Sequence, residues 1–356
     1  MDFFNTATSL SHSRSAIEDL FFQLYDCAPP SDNDIFYGLN LQWPDFELPK
    51  NYQKYFLSFH TECLNLIWVI QQAIKVYPRT IIFVTDYKTD LSDWPSAPEN
   101  IINVDWITIH KQLNLLQKTF GIVNQVQIPR YKISSLSYRI TQYKRFITAY
   151  LLENFDKNDM ILTYHNVLNK PEDLHSHPAD IKCLEKLNFD FGKTIINFDD
   201  KFFGNLPVNN GNWKNAAYTD ALINLTNESF HYSKTTVQNK QCVWPGPYLT
   251  EKTFKPLLSG RPFLAIGQYN TYNWLQQLGL KSDFGFDITY DNDSGDLTRI
   301  EKIFEVLDFI NQNSIEYLFE SSLDSVEYNL QYISTGQLYD TCQKINHSKK
   351  HEFSIF

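Results

Sequence analysis

Chemistry-bearing side chains crowd most densely in Tyr248–Gly267, YLTEKTFKPLLSGRPFLAIG. Thr250 has the side chain of a helix N-cap, which puts Glu251 and Lys252 in the first turn and Lys255 one turn on. Cations at that end oppose the helix dipole by about 0.3–1 kcal/mol each. The opposition disappears if an anion sits there. Backbone N–H groups, dipole and ammonium charge would then converge on a diphosphate, and Glu251 would accept from two ribose hydroxyls. The same spacing also fits a solvated amphipathic turn whose Glu and Lys face water, and local chemistry leaves both readings open. Gly260 stands where a left-handed C-terminal residue is wanted, Pro262 forbids continuation, and FLAI then has the pattern of a buried strand.

Other clusters invite rival chemistries. Asp199-Asp200 and Asp291-x-Asp293 have the pairing of a metal site, but Asp291–Gly295 (DNDSG) has turn composition and neither pair follows a strand pattern. His175-Ser176-His177 lies in a proline-containing loop with no third ligand nearby. Neither GxxxxGK(S/T) nor GxGxxG occurs, which speaks against a nucleotide hydrolase or a dinucleotide oxidoreductase. His60, Glu62 and Asp86 fall just past two strand-like runs, KYFLSF and TIIFVT. A base at a strand's carboxyl edge is placed to take a proton from a bound hydroxyl. Glu62 serves equally as an ordinary first-turn acid after a Thr61 cap.

Thr250-Glu251-Lys252, an apolar helix, Ser259-Gly260-Arg261-Pro262 and an apolar strand together resemble the donor-binding signature of the alpha-1,3-fucosyltransferase family. There, (Y)(I/V/L)TEK is followed by a short helix, A-G-x-x-P and a strand. LTNESF (225–230) resembles the family's F-E-N-S element, with Glu228 and Ser229 matching its acid and serine and the order of Asn and Glu changed. Ser134-Ser135-Leu136, then Arg145 and Tyr150-Leu151, resembles S-N-C, a spacer and R-x-x-Y-x-x-x-L. This implies that Arg145 neutralises donor phosphate, with Arg139 the rival because the spacer varies. Lys144, about 100° round a helix from Arg145, is expected to point elsewhere. YFLSFHTEC (55–63) resembles the segment that enters E-S-P, with Cys63-Leu64 in place of Ser-Pro. The resemblance makes Glu62 the general base; His60, two residues earlier, and Asp86, at the end of TIIFVT, are the second and third candidates by position.

The resemblance implies an inverting, metal-independent glycosyltransferase of the GT-B architecture, needing no cofactor. Its co-substrate would be a nucleotide-diphosphate sugar, a GDP-sugar such as GDP-fucose foremost and a UDP-sugar second, and its acceptor a glycan hydroxyl. Two alternatives stand beside it: a phage-type enzyme that glycosylates DNA bases, and a non-catalytic nucleotide-sugar-binding or scaffold protein. Basic positions at 132–145 and 252–261 could line a DNA cleft, although 31 Lys and Arg against 41 Asp and Glu, net −10, disfavour a polyanionic partner.

These side chains need a frame. At 43% hydrophobic and 20% charged, the 356 residues are those of a globular chain of about two domains. Strand patterns at 54–59, 80–85, 101–109, 131–136, 160–164, 217–225 and 263–266 alternate with helical ones at 62–76, 111–120, 139–155, 251–258 and 272–278. That order predicts an α/β fold with parallel sheets. Two such sets predict two Rossmann-like lobes facing a cleft: residues 1–125 on the acceptor side, 126–300 binding the nucleotide sugar, and a helical segment over 301–356. No run reaches the roughly 18 apolar residues of a membrane span, and the first residues lack a signal-peptide pattern. Five scattered cysteines, without a Cys-x-x-Cys pair, fit reduced thiols. The expected location is therefore a bacterial or virus-infected cytoplasm.

Overall fold

Short apolar runs become the strands of two separate parallel sheets. A computed structural model describes residues 35–39, 48–59, 66–85, 98–104, 122–123, 125–137, 142–164, 216–228, 234–237, 240–243, 247 and 249–348. The chain divides into two compact units, one drawn from Met1–Lys111, Lys240–Gly246 and Tyr339–Phe356, the other from Gln112–Asn239 and Pro247–Leu338.

In the first unit, β1 (Ile35–Leu39), β2 (Lys54–Phe59), β3 (Thr80–Thr85) and β4 (Ile101–Val104) lie side by side in that order, all parallel. Helix α1 (Leu66–Val76) makes the crossover from β2 to β3. Tyr55, Phe56 and Leu57, like Ile81, Ile82 and Phe83, are buried at consecutive positions. Burial without alternation means that both faces of these strands are covered, as parallel sheets require. Val69, Ile70, Ala73 and Val76 form the buried stripe of α1. Asn100 closes the turn into β4 by donating to the carbonyls of Ala73 (3.1 Å) and Arg79 (2.7 Å). Strand β1 was not expected from its sequence, because Gly38 and the preceding polar DND weaken the pattern. The expected start of α1 at Glu62, the second half of the 101–109 strand and the 111–120 helix lie outside the described residues.

The second unit contains β5 (Tyr131–Ser137), α2 (Gln142–Asn154), β6 (Met160–Tyr164), α3 (Ala216–Asp220) and β7 (Ala221–Asn227). The short strands β8 (Lys234–Val237) and β9 (Lys240–Val243) follow, the latter belonging to the first unit. Then come α4 (Glu251–Leu258), β10 (Phe263–Ile266) and α5 (Thr271–Gln277), with the long helices α6 (Asp296–Gln312) and α7 (Ile315–Ser334) completing the second unit. A last helix, α8 (Gln337–Ser348), falls mostly in the first. The second sheet has the order β10-β7-β5-β6, again all parallel. The strand expected at 217–225 is displaced to 221–227. Ala221 pairs with Tyr131, the first residue of β5, so the ladder starts there and Ala216–Asp220 turns as a helix.

Helix α4 ends as its residues dictate. Gly260 has φ +62, its N–H bonds to Leu257 O (3.1 Å) and the Arg261 N–H bonds to Pro256 O (3.0 Å), the two bonds of a Schellman motif. A Cβ on Gly260 would meet methyls of Val123 and Val126, each at 3.1 Å. Gly260→Ala should therefore destabilise the chain by about 1–2 kcal/mol from the left-handed backbone alone, read as a lower urea midpoint. An unchanged midpoint would refute the assigned turn.

The acidic pair Asp291-x-Asp293 is structural. The Asp291 carboxylate accepts from Tyr272 N (2.7 Å) and so caps α5, whose own N-cap residue, Asn270, makes no side-chain cap bond. Asp293 accepts from Gly295 N (2.8 Å) and pairs with Lys302 (2.9 Å), an arrangement that pulls its carboxyl down to about 2. Among the described residues no three or more His, Cys, Asp or Glu side chains gather as a metal site, and no helix is long and apolar enough to cross a membrane.

Candidate functional site

In open α/β sheets, ligands bind beyond the carboxyl ends of strands where the winding reverses. In the second sheet that point lies between β5 and β7: the chain leaves β5 for β6 on one side and leaves β7 for β10 on the other. Polar side chains stitch these two strands together. Ser134 Oγ donates to Asn224 Oδ1 (2.6 Å), and Asn227 Nδ2 donates to the hydroxyls of Ser135 (2.9 Å) and Ser137 (3.2 Å). All are buried. Burial of so many polar groups is tolerable only because they satisfy one another. Asn227 Oδ1 is the exception: among the described residues it has no hydrogen-bond partner.

Glu228 follows immediately after β7 and is 2% exposed. Its N–H bonds to the carbonyls of Thr226 and Ile266, which fixes the residue between the ends of β7 and β10. Its carboxylate reaches the start of α4. Oε1 accepts from Thr250 N (3.3 Å) and Thr253 Oγ1 (2.7 Å), while Oε2 accepts from Thr250 Oγ1 (2.7 Å) and lies 3.9 Å from Lys252 Nζ. Thr250 is the N-cap, accepting from Lys252 N at 3.2 Å. Lys252 Nζ lies 3.4 Å from the same hydroxyl, and the side chain stays 29% exposed. The arrangement is thus a buried carboxylate, a capping hydroxyl and the ammonium of a partly exposed lysine at one helix start. The anion that the cationic first turn demands is supplied in part from within, by Glu228.

Of the candidate residues, Glu228, Thr250 and Lys252 are brought together. Lys255 is not: fully buried, it holds its ammonium 5.8 Å from the centre of the Tyr218 ring. Tyr218 lies on α3, which leads into the opposite, amino end of β7. Glu251 is the first residue of α4 and Arg145 lies within α2, by backbone position only. His60, Glu62, Asp86, Arg139 and Ser229 lie outside the described residues.

In helix α2, Lys144 is 5% exposed, with its ammonium 5.9 Å from the centre of the Tyr143 ring. Tyr150 of the R-x-x-Y resemblance is a packing residue that stacks on Phe304 (4.4 Å between ring centres) and donates to Asp308. Arg261 is internal as well, donating to Gln127 O (2.6 Å) and Thr219 O (2.6 and 3.0 Å), and burial lowers its guanidinium to about 10. Lys132 donates to Asn311 O (3.0 Å). Four cations that a DNA cleft would have displayed, at 132, 144, 255 and 261, are thus engaged within the second unit. The buried seam between β5 and β7 was legible in part: asparagines and threonines interrupt the apolar run of β7, opposite Ser-Ser-x-Ser in β5.

No family model, curated protein or solved structure matches the chain.

Proposed function

We propose that the chain is an inverting glycosyltransferase that moves a sugar from a nucleotide-diphosphate sugar, a GDP-sugar foremost, to a hydroxyl of a glycan acceptor. One observation carries this: Lys252, at the capped start of α4 and tied through Glu228 to the carboxyl end of β7, one of the two strands that flank the winding reversal, keeps its side chain 29% exposed. A diphosphate there would meet the ammonium and the positive helix end together. The sequence resemblance to the alpha-1,3-fucosyltransferases points to the same residues. In this proposal the two units are the lobes of a GT-B enzyme, with the donor held by the second, and the enzyme works in the cytoplasm.

The chemistry follows from the charges. The bond between the anomeric carbon and the β-phosphate oxygen breaks, and its electron pair leaves with the nucleoside diphosphate. Lys252, with Arg145 or Arg139, stabilises that charge as it develops. The acceptor oxygen attacks from the opposite face, and Glu62 takes its proton, with His60 and Asp86 the other candidate bases. Glu251 would accept from the ribose hydroxyls. No step requires a metal ion.

Calorimetric titration with GDP-, UDP-, CMP- and ADP-sugars tests the proposal. Binding of one of them, strongly weakened in Lys252→Ala, is expected; heat-silent titrations with all four would end it. Glu62→Gln should leave donor affinity within about twofold while removing transfer, because the lost carboxylate acts on the acceptor alone. Retained turnover would exclude Glu62 as the base.

A further inference from the structure

Resting on that proposed function, we propose that Glu228 is a positioning residue, which sets Lys252 for the donor diphosphate and does not itself contact the nucleotide sugar. The resemblance alone would have made it a ligand-binding acid. Its geometry is that of a support. The residue is 2% exposed, and both carboxylate oxygens are committed to the start of α4: Oε1 to Thr250 N and Thr253 Oγ1, Oε2 to Thr250 Oγ1. Lys252 Nζ lies 3.9 Å from Oε2 and 3.4 Å from Thr250 Oγ1, so the carboxylate and the hydroxyl it orients together define where the ammonium stands. A free lysine side chain must give up its rotamer freedom when it grips an anion; one already held gives up less. The same division of labour, a carboxylate that orients a phosphate-binding lysine, operates in protein kinases. Asn227 Oδ1, one residue before Glu228 and buried with no hydrogen-bond partner among the described residues, adds an acceptor that an incoming polar ligand would satisfy.

Glu228 also carries a charge of the same sign as phosphate, so the two roles make opposite predictions. A positioning carboxylate tightens diphosphate binding, whereas a merely repulsive one weakens it. The full chain is titrated with GDP and UDP, and in parallel with guanosine and uridine, which lack phosphate. Glu228→Gln is expected to weaken the nucleoside diphosphate that binds by about tenfold, the size of one charge-assisted contact, and to leave its nucleoside unchanged. In a Lys252→Ala background the same substitution should bring no further loss. Thr253→Val keeps the carboxylate but removes one of its donors. It should weaken the diphosphate about threefold, again only while Lys252 is present; this variant decides the matter if Glu228→Gln does not fold. Diphosphate affinity at or above the wild-type value in these variants overturns the positioning role. So does a loss that adds in full to that of Lys252→Ala. Failure of the wild-type chain to bind either diphosphate overturns the proposed donor site itself, and the positioning role with it.

Discussion

Lys252→Ala should reduce affinity for the nucleotide sugar by about 10- to 150-fold. Hydrogen bonds to charged groups contribute about 1.5–3 kcal/mol, and each 1.4 kcal/mol is about a factor of ten in affinity. The helix dipole and backbone N–H groups would survive the substitution, which is why residual binding is expected at high concentration. The sequence alone would predict no change in the unliganded fold, since a first-turn lysine is ordinarily solvated. The structure alters that expectation. Lys252 is the cation beside a buried carboxylate, Glu228, at 3.9 Å. Breaking a fully buried pair costs about 3–5 kcal/mol, but the Lys252 side chain is 29% exposed, so the pair is not fully buried. A loss of about 1 kcal/mol, seen as a melting temperature lower by a few degrees, is the expected outcome. Measuring melting with and without the sugar nucleotide separates the two effects: the ligand-induced rise should shrink sharply at equal ligand concentration, while the baseline moves only slightly. A ligand-induced rise of wild-type size in Lys252→Ala would remove the donor assignment.

The second large effect concerns pH and Asp291. Burial pushes its carboxyl from 3.8 up to about 7, outweighing the N–H groups of Tyr272 and Thr271 and the nearby charge of Arg299, which act the other way. The aromatic wall around it, Tyr272 and Tyr290, is itself buried, and both phenols are raised above their ordinary value. An unfolded chain releases this proton near pH 4, the folded one only near pH 7. Between those values the folded state binds the extra proton, so stability from this group is full below about pH 4, falls through the window and stays reduced above pH 7. The fall amounts to about 4 kcal/mol. Asp291→Asn cannot titrate, yet its amide oxygen can still accept from Tyr272 N. Urea unfolding at pH 5 and pH 8 should show the variant gaining on the wild type by most of that amount as pH rises. Asp293 does not confuse the comparison, because its lowered carboxyl, at about 2, is ionised throughout this range. Parallel pH profiles for the two proteins would show that Asp291 stays ionised in the fold, paired with Arg299.

Much of the frame was legible before any coordinates. Consecutive apolar residues in TIIFVT and FLAI mark strands covered on both faces, and β3 and β10 occupy those residues as expected. Helix α4 runs from its Thr250 cap to a left-handed Gly260, because capping and left-handed backbone are local chemistry. Strand β7 was misplaced because a strand's extent depends on its neighbours, here the first residue of β5.

The sequence by itself determined the alternating α/β elements, the parallel sheets they imply, and the position of a lysine-bearing helix start. Each depends on residues within a few positions of one another. Only the tertiary structure decided which charges are answered, and by what. Lys252 and Lys255 are three residues apart and look alike in sequence. One meets Glu228, 24 residues earlier, and stays partly in water; the other is buried over Tyr218. Asp291, which reads as half of a metal pair, caps a helix 19 residues earlier in the chain. The energy of a charge depends on what removes its water and what replaces it, and those neighbours come from parts of the chain that only folding brings into contact.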